Sequence, residues 1–210
     1  MPRYGDCCTW ADVWRTDGDG KVSVQEAIIA AGARLIKQNL QQTPVVVGNA
    51  EAVSFFSTKA TTATNRSRGR VLAVLVGVGK YRHPGINLNG PVNDVRLMQK
   101  LLADSSHLLF SRSICKPLID EKATLSNLHK TLDWVRKTAG PDDVVFFSFS
   151  GHAFIHSGDG ETRQKGRPSE ATLYLHDFDD AKAGQLRLKD LIAQLIKSKA
   201  RHHVIMLDSG

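Results

Sequence analysis

Residues 144–152 read VVFFSFSGH, an apolar run that passes directly into Ser-Gly-His. Residues 204–210 read VIMLDSG, a second apolar run that passes into Asp-Ser-Gly. Short continuous apolar runs are typical of parallel strands that are buried on both faces. Because ligands of parallel sheets bind beyond the carboxyl ends of the strands, we expect the polar residues after both runs to form the functional site.

The rest of the C-terminal part alternates between strand and helix patterns. Val71–Val78 is another apolar run, and Leu173–Leu175 is a short one. Apolar residues at helical spacing predict helices over Asn93–Ala103, Thr124–Val135 and Leu188–Lys197. Strands that alternate with helices indicate an α/β sandwich with a mostly parallel central sheet.

A polar stretch divides the chain into residues 1–56 and residues 71–210. Residues 57–70 read STKATTATNRSRGR and offer almost no side chain that could be buried. This composition predicts a mobile linker.

The segment before the linker is too short to fold alone. Ser23 and Glu26 have the spacing of a capping box, and helical spacing of apolar residues follows them. The valines at residues 45–47 predict a buried strand. We therefore expect this segment to contribute a helix and a strand to one composite domain with residues 71–210.

Composition excludes several classes of protein. The chain has 210 residues, of which 41% are hydrophobic and 23% charged, as is ordinary for a soluble globular domain. It lacks a signal peptide pattern and a membrane-spanning run of about 20 apolar residues, and its three cysteines form no disulfide framework. We expect a cytoplasmic, monomeric protein without membrane contact. The net charge of +7 is scattered, so no specific nucleic-acid partner is expected.

The histidine after the first run is placed to act chemically. His152 follows a glycine at a strand end, where an imidazole can serve as a general base near neutral pH. A loop histidine that only caps a strand is the alternative, and this residue alone does not separate the two.

The whole pattern resembles the caspase-like cysteine peptidases, and metacaspases in particular. The resemblance extends over Arg70–Gly210 and lies in the order and spacing of several segments. These segments are Val76–Tyr81, Leu88–Val95, Ala123–Leu128, Leu173–Phe178 and the two runs quoted above. The resemblance implies a caspase-like three-layer sandwich. The N-terminal segment resembles the family's small subunit, which normally follows the catalytic cysteine, so its position here implies the circularly permuted order of type III metacaspases.

The same resemblance implies the roles of individual residues. His152 would be the general base, and the backbone N–H of Gly151 would lie in the oxyanion hole. The nucleophilic cysteine is expected at position 210, where this sequence has Gly210. Burial is expected for Cys7, Cys8 and Cys115, so none of them replaces the nucleophile.

An acidic pocket is the second implied feature. Asp94, Ser150 and Asp208 occupy the family positions that bind Arg or Lys before the cleaved bond. Protein and peptide substrates with those residues are therefore the expected partners. For Asp94, a carboxylate that interacts with a helix dipole is the structural alternative.

The missing cysteine leaves more than one interpretation open. This chain is expected to be inactive, through an engineered change or truncation, through lost residues, or because it is a natural pseudoenzyme that binds partners without cutting them. A flavodoxin-like nucleotide-binding domain is a third interpretation. It lacks support because Gly77-Val78-Gly79 is too short for a phosphate loop.

Calcium is the expected cofactor, since many metacaspases need it, but the sequence does not identify its ligands. Asp17, Asp19, Gly20 and Glu26 match four EF-hand positions, whereas Arg15 stands at the first one, so a structural turn is the favoured interpretation. Two of the family's downstream calcium positions carry Leu188 and Lys189. The other candidate ligands are Asp159, Glu170, Asp179 and Asp180.

Overall fold

A computed structural model gives the fold of the chain. It describes residues 19–37, 53–57, 62, 68–104, 108–155, 171–179 and 183–209. Several predictions lie outside these residues: the strand at residues 45–47, the environment of Cys7 and Cys8, most of the linker, and the surroundings of Gly210.

The chain divides into two compact units. The first comprises residues 1–68 and 104–111, and the second comprises residues 69–103 and 112–210. In the first unit, β1 (Lys21–Ser23) pairs antiparallel with β2 (Ser54–Ser57), and α1 (Val24–Lys37) follows β1. The predicted capping box is confirmed, because the N–H of Ser23 donates to Glu26 (2.8 Å) and the N–H of Glu26 donates to the Ser23 hydroxyl (3.1 Å).

The second unit is built on a parallel sheet of four strands. They are β3 (Val71–Gly77), β4 (Ser113–Ile119), β5 (Val144–Ser150) and β9 (His202–Asp208), in the order β4-β3-β5-β9. Every residue of β3 and β5 is buried, as their continuous apolar runs predict. The mostly parallel α/β sheet expected from the sequence is confirmed.

Three helices cover this sheet. They are α2 (Pro91–Ala103), α3 (Leu125–Thr138) and α4 (Leu188–Leu195). Thr124 caps α3, because its hydroxyl accepts the N–H of Asn127 at 3.3 Å. None of the helices among the described residues is long and apolar enough to cross a bilayer.

The alternation of side chains along β3 assigns the helices to the two faces of the sheet. Leu72, Val74 and Val76 belong to a core cluster that also contains apolar residues of α3 and α4. Gly77 points to the opposite face, where an added Cβ would lie 2.6 Å from the Pro91 carbonyl of α2. The central sheet is therefore sandwiched between helices, and glycine lets α2 approach closely.

A small antiparallel sheet completes the second unit. It consists of β6 (Ala153–Ile155), β7 (Ala171–Tyr174) and β8 (Gln185–Arg187), in the order β6-β7-β8. It follows β5 directly, so the chain leaves the central sheet at His152 and enters this second sheet.

Cys115 lies within β4, where it is half-buried and not fully buried as expected. The expectation for the last strand is also wrong. The last run, β9, has half-buried or exposed side chains, and it is the outermost of the four strands of this sheet that the structure describes.

The end of the predicted linker is part of the packed second unit. Arg70 binds Asp143 through two side-chain hydrogen bonds, and its backbone N–H donates to the same carboxylate at 2.7 Å. Burial alone would raise the pKa of Asp143, but the hydrogen bonds from Arg70 and Gly140 outweigh it and lower the pKa below its ordinary value.

Replacing the carboxylate of this pair is expected to destabilise the fold. Asp143→Asn should lower the free energy of unfolding at pH 7 by about 2 kcal/mol, below the range for a fully buried pair because Arg70 is partly exposed. Since the pKa of Asp143 is lowered in the folded state, this contribution should be lost as the pH falls below 3.8 toward that folded pKa.

Urea unfolding at pH 7 and at pH 3 measures both effects. Asp133→Asn is the control, because Asp133 pairs with Arg136 on an exposed surface and should change stability by less than about 0.5 kcal/mol. If both variants lower the free energy of unfolding equally at pH 7, the Arg70–Asp143 pair stabilises the fold no more than an exposed ion pair does.

Candidate active site

Three strands of the central sheet end at the same level. Gly77 of β3 pairs in register with Ser150 of β5, and Ser150 pairs in register with Asp208 of β9. The sequence expectation that Ser150 and Asp208 meet at one carboxyl edge is confirmed by this register. The loop after β5 carries Gly151 and His152 from the same edge.

Asp94 reaches this edge from the first turn of α2. The Ser150 hydroxyl donates to its Oδ2 at 2.6 Å, although the two residues lie 56 positions apart. Ser150 is buried, whereas Asp94 is exposed at the helix start. Two of the three predicted pocket residues are therefore in direct contact.

Asp208 adds a second carboxylate to the same edge. Burial of part of the group raises the pKa of Asp208, and the negative charge of Asp94 raises it further. The residue remains exposed overall, so solvent screens much of this effect. A cation bound beside both carboxylates would relieve their repulsion and favour their ionised forms.

The ring of His152 is held through its Nε2 atom. Nε2 lies 2.8 Å from the carbonyl oxygen of Ile86. A carbonyl can only accept a hydrogen bond, so Nε2 must carry the proton. In the neutral ring the lone pair is therefore on Nδ1, which is the form that a general base needs.

Gly151 has a backbone that only glycine adopts readily. Its φ is 157°, and an added Cβ would lie 2.9 Å from the Tyr81 hydroxyl and 3.0 Å from the Phe149 ring. Its N–H donates to the Asp208 carbonyl at 3.1 Å, which extends the β5–β9 ladder by one bond. A role in an oxyanion hole stays a prediction, and it requires the Asp208 peptide to turn away.

The described cysteine does not take the place of the nucleophile. Cys115 pairs with Ala73 in the middle of β4 and β3, away from the carboxyl edge. Burial raises the pKa of Cys115, against the weaker lowering effect of a hydrogen bond with Ser113. A half-buried thiol with a raised pKa is a poor nucleophile.

The sequence did not indicate every residue that holds the site. Tyr81 accepts the His152 N–H at 2.8 Å through its hydroxyl, and Asp120 accepts the N–H groups of Gly79 and Lys80 at 2.8 Å and 2.9 Å. Tyr81 belongs to a segment that the resemblance singled out, but nothing in that segment assigns a role to its hydroxyl.

The described residues do not fit a calcium site. Within these ranges no group of three or more His, Cys, Asp or Glu side chains is arranged to hold a metal ion. Asp19 binds the N–H of Lys21, and Glu26 caps α1, which fits a structural turn. Leu188 is buried at one family calcium position. Asp17, Asp159, Glu170 and Asp180 lie outside the described residues.

Comparison with known proteins identifies the family of this site. The family model described as "Metacaspase, peptidase C14 domain" matches residues 72–209, which include His152, Asp94, Ser150 and Asp208. Metacaspase-5 of Trypanosoma brucei brucei is 32% identical over 139 residues, which is 62% of this chain. Metacaspase-5 of Trypanosoma cruzi is 31% identical over 140 residues, or 61% of this chain.

Other matches are shorter or more distant. Metacaspase-1 of Lodderomyces elongisporus is 35% identical over 89 residues, or 40% of this chain and 19% of the relative. Protein GSU0716 from Geobacter sulfurreducens, a solved structure, aligns with 66% of this chain and 48% of its own at 21% identity and a TM-score of 0.49. The chain spans 26% and 29% of the two trypanosome relatives. Because the family model matches more than half of its length, the chain belongs to the metacaspase family of cysteine peptidases.

Proposed function

We propose that this chain is the catalytic region of a cysteine endopeptidase that cleaves peptides after Arg, and after Lys less well. His152 is the general base of this reaction. The nucleophile is a cysteine at position 210, so the chain with Gly210 binds substrates without cleaving them. Family membership supports the reaction class, and the site residues support the specificity.

The observation that carries the proposal is the 2.8 Å contact between His152 Nε2 and the Ile86 carbonyl, at the carboxyl edge of the sheet. Because a carbonyl only accepts, Nε2 carries the proton, and in the neutral ring Nδ1 holds the lone pair that would take a proton from a thiol.

The charge at the sheet edge supports specificity for a cation. Asp94 and Asp208 are acidic groups near the same buried Ser150, and burial together with the charge of Asp94 raises the pKa of Asp208. The planar guanidinium of Arg can bind carboxylates with two parallel hydrogen bonds, whereas the ammonium of Lys is a single point charge. A substrate Asp at this position would be repelled.

A peptide-binding protein without peptidase activity is the second candidate function. Gly210 favours it, because a glycine at that position cannot form an acyl-enzyme. The enzyme proposal includes two further points. The two segments follow the type III order, and calcium activates the enzyme through ligands outside the described residues.

The test is cleavage of arginyl fluorogenic peptides by the chain carrying Gly210→Cys, with calcium and with a chelator. Lysyl peptides should be cleaved more slowly and aspartyl peptides not at all. A folded Gly210→Cys chain that binds arginyl peptides but never cleaves them would favour the second candidate.

The active form should also cut itself in the predicted linker. Lys59, Arg66 and Arg68 offer cleavage sites in a polar sequence, whereas Arg70 is held by Asp143 and should be spared. Mass spectrometry of the incubated Gly210→Cys chain, with His152→Ala in the same background as the control, identifies the cuts. Cuts confined to the central sheet would contradict the linker assignment.

A further inference from the structure

The loop after β3 holds His152 at two points. This loop, Gly79–Leu88, is closed at its base by a hydrogen bond from the Leu88 N–H to the Gly79 carbonyl at 2.8 Å. It supplies the Ile86 carbonyl to the His152 ring and the Tyr81 hydroxyl to the His152 backbone. This one loop therefore holds both the ring and the backbone of His152, the proposed base.

Tyr81 contacts His152 through more than its hydroxyl. The two rings lie 5.3 Å apart between centroids and are tilted by 42°. The N–H of Tyr81 donates to the Asn87 side chain at 2.8 Å, which fixes the tyrosine within the loop. Because an added Cβ on Gly151 would strike the tyrosine hydroxyl, glycine at that position makes this contact possible.

The hydroxyl of Tyr81 is suited to positioning and not to proton transfer. Burial raises the pKa of Tyr81 to about 12, and the charge of Asp120 adds to this, against the lowering effect of the His152 N–H. The phenol therefore stays protonated at any pH at which a cysteine peptidase would work.

Asp120 anchors the base of the same loop. Its buried carboxylate accepts the N–H groups of both Gly79 and Lys80, and its carbonyl accepts the N–H of Ala123. Its φ is 45°, the only left-handed value among the described non-glycine residues. Such a conformation is unfavourable for a residue other than glycine and persists where surrounding contacts enforce it. His176 adds a contact at 2.7 Å from Nδ1 to the Lys80 carbonyl.

We propose that Tyr81 is a positioning residue for His152, and that Asp120 acts through Tyr81 by anchoring the Gly79–Leu88 loop. The consequence for catalysis rests on the proposed peptidase function, whereas the effect on the His152 backbone does not. Neither residue touches the substrate or the reacting atoms.

The first experiment uses the chain as it stands. Amide hydrogen exchange is measured by NMR for Tyr81→Phe, which removes the hydroxyl and keeps the ring. The His152 amide should exchange about tenfold faster, the factor that corresponds to the loss of one hydrogen bond, while the Phe147 amide in β5 stays unchanged. Tyr174→Phe is the matched control, because its ring stacks on Phe178 at 4.1 Å and its backbone N–H binds the His152 carbonyl.

The second experiment measures kinetics in the Gly210→Cys background. Tyr81→Phe should lower kcat for arginyl peptides about tenfold and leave KM unchanged, as expected for a base that is less well positioned. Asp120→Asn keeps an oxygen that accepts both N–H groups and tolerates the left-handed backbone, so it should retain activity. Asp120→Ala should lose kcat to the same extent as Tyr81→Phe.

The outcomes separate this proposal from the proposed function. An unchanged His152 amide in Tyr81→Phe would overturn the positioning role, whatever the activity. Equal losses of kcat in Asp120→Asn and Asp120→Ala would overturn the anchoring role. If the Gly210→Cys parent is inactive, the peptidase proposal fails, and the exchange measurement alone decides the role of Tyr81. In that case, anchoring by Asp120 is decided by exchange of the His152 amide in Asp120→Ala and Asp120→Asn.

Discussion

The chain carrying Gly210→Cys is expected to cleave arginyl peptides about 10⁶-fold faster than the chain with glycine at that position, the order of magnitude lost when a catalytic nucleophile is removed. Glycine offers no side-chain atom that can attack a carbonyl, so position 210 gives His152 no group to activate. Fluorogenic peptides with Arg before the reporter, assayed in calcium, measure the gain.

The proposed mechanism gives the two ring nitrogens of His152 different roles. Nδ1 would take the proton of a thiol at position 210 while Nε2 keeps its own bond to the Ile86 carbonyl. The thiolate would then attack the peptide carbonyl carbon, the C–N bond would break, and the imidazolium would give its proton to the leaving amine. Water hydrolyses the resulting thioester and restores both groups.

Two control variants test whether the gain in cleavage rate comes from a thiol at position 210 that His152 activates. Gly210→Ser should give far less activity than Gly210→Cys, since a serine hydroxyl is a much weaker nucleophile than a thiol at neutral pH. His152→Ala in the Gly210→Cys background should lower the rate about 10³-fold or more. Undiminished cleavage without His152 would show that another group is the base.

The core of the fold is predictable from sequence because its strands are buried on both faces. β3 and β5 consist of seven buried residues each, so their runs contain no polar interruption except the serines of β5. The start of α3 is predictable for a local reason, since the Thr124 cap and its partner Asn127 are three residues apart.

The edge strands are harder to predict because their composition is mixed. β4 contains Lys116 and Pro117, which weaken the strand pattern, and proline is tolerated there only because β4 lies at the edge of the sheet. β9 has the apolar pattern of a buried strand but also lies at an edge. Periodicity alone does not distinguish these positions.

The contacts that position the site depend on residues far apart in the chain. Only the family resemblance places Ser150 and Asp94 in one pocket from the sequence, since 56 positions separate them. Asp120 and Gly79 lie 41 positions apart, and no motif links them. The anchoring role proposed for Asp120 rests on these long-range hydrogen bonds and on its left-handed backbone, and a sequence pattern reveals neither.

The acidic pair at the sheet edge gives the second large expected effect. In the Gly210→Cys background, Asp94→Asn and Asp208→Asn should each lower kcat/KM for arginyl peptides roughly 30-fold to several thousand-fold. This factor corresponds to a loss of about 2–5 kcal/mol in the free energy of transition-state binding. Both carboxylates are exposed in the free chain, which favours the lower end of this range. The double variant should lose more than either single one.

The pH dependence of arginyl peptide binding should report the same pair. Because burial and the charge of Asp94 raise the pKa of Asp208, that carboxyl group holds its proton to a higher pH than an ordinary Asp. Binding of Arg favours the ionised form, so affinity should rise with pH through this window and level off above it. Calorimetry of the chain with Gly210 measures this binding without cleavage, and Asp208→Asn should flatten the profile.

Selectivity, more than absolute rate, tests the pocket. Asp94→Asn retains an oxygen that can accept the Ser150 hydroxyl, so the site should keep its shape while losing a charge. Glu121→Gln is the matched control, because Glu121 is an exposed acid after β4 whose only ion pair among the described residues is at 3.9 Å with Lys80. It changes the net charge equally but should leave kcat/KM within about twofold.

Cleavage of peptides with leucine in place of arginine should be slow and nearly equal in all variants. If Asp94→Asn and Glu121→Gln lower arginyl cleavage to the same extent, the effect is one of overall charge and the acidic pocket is not formed by Asp94 and Asp208.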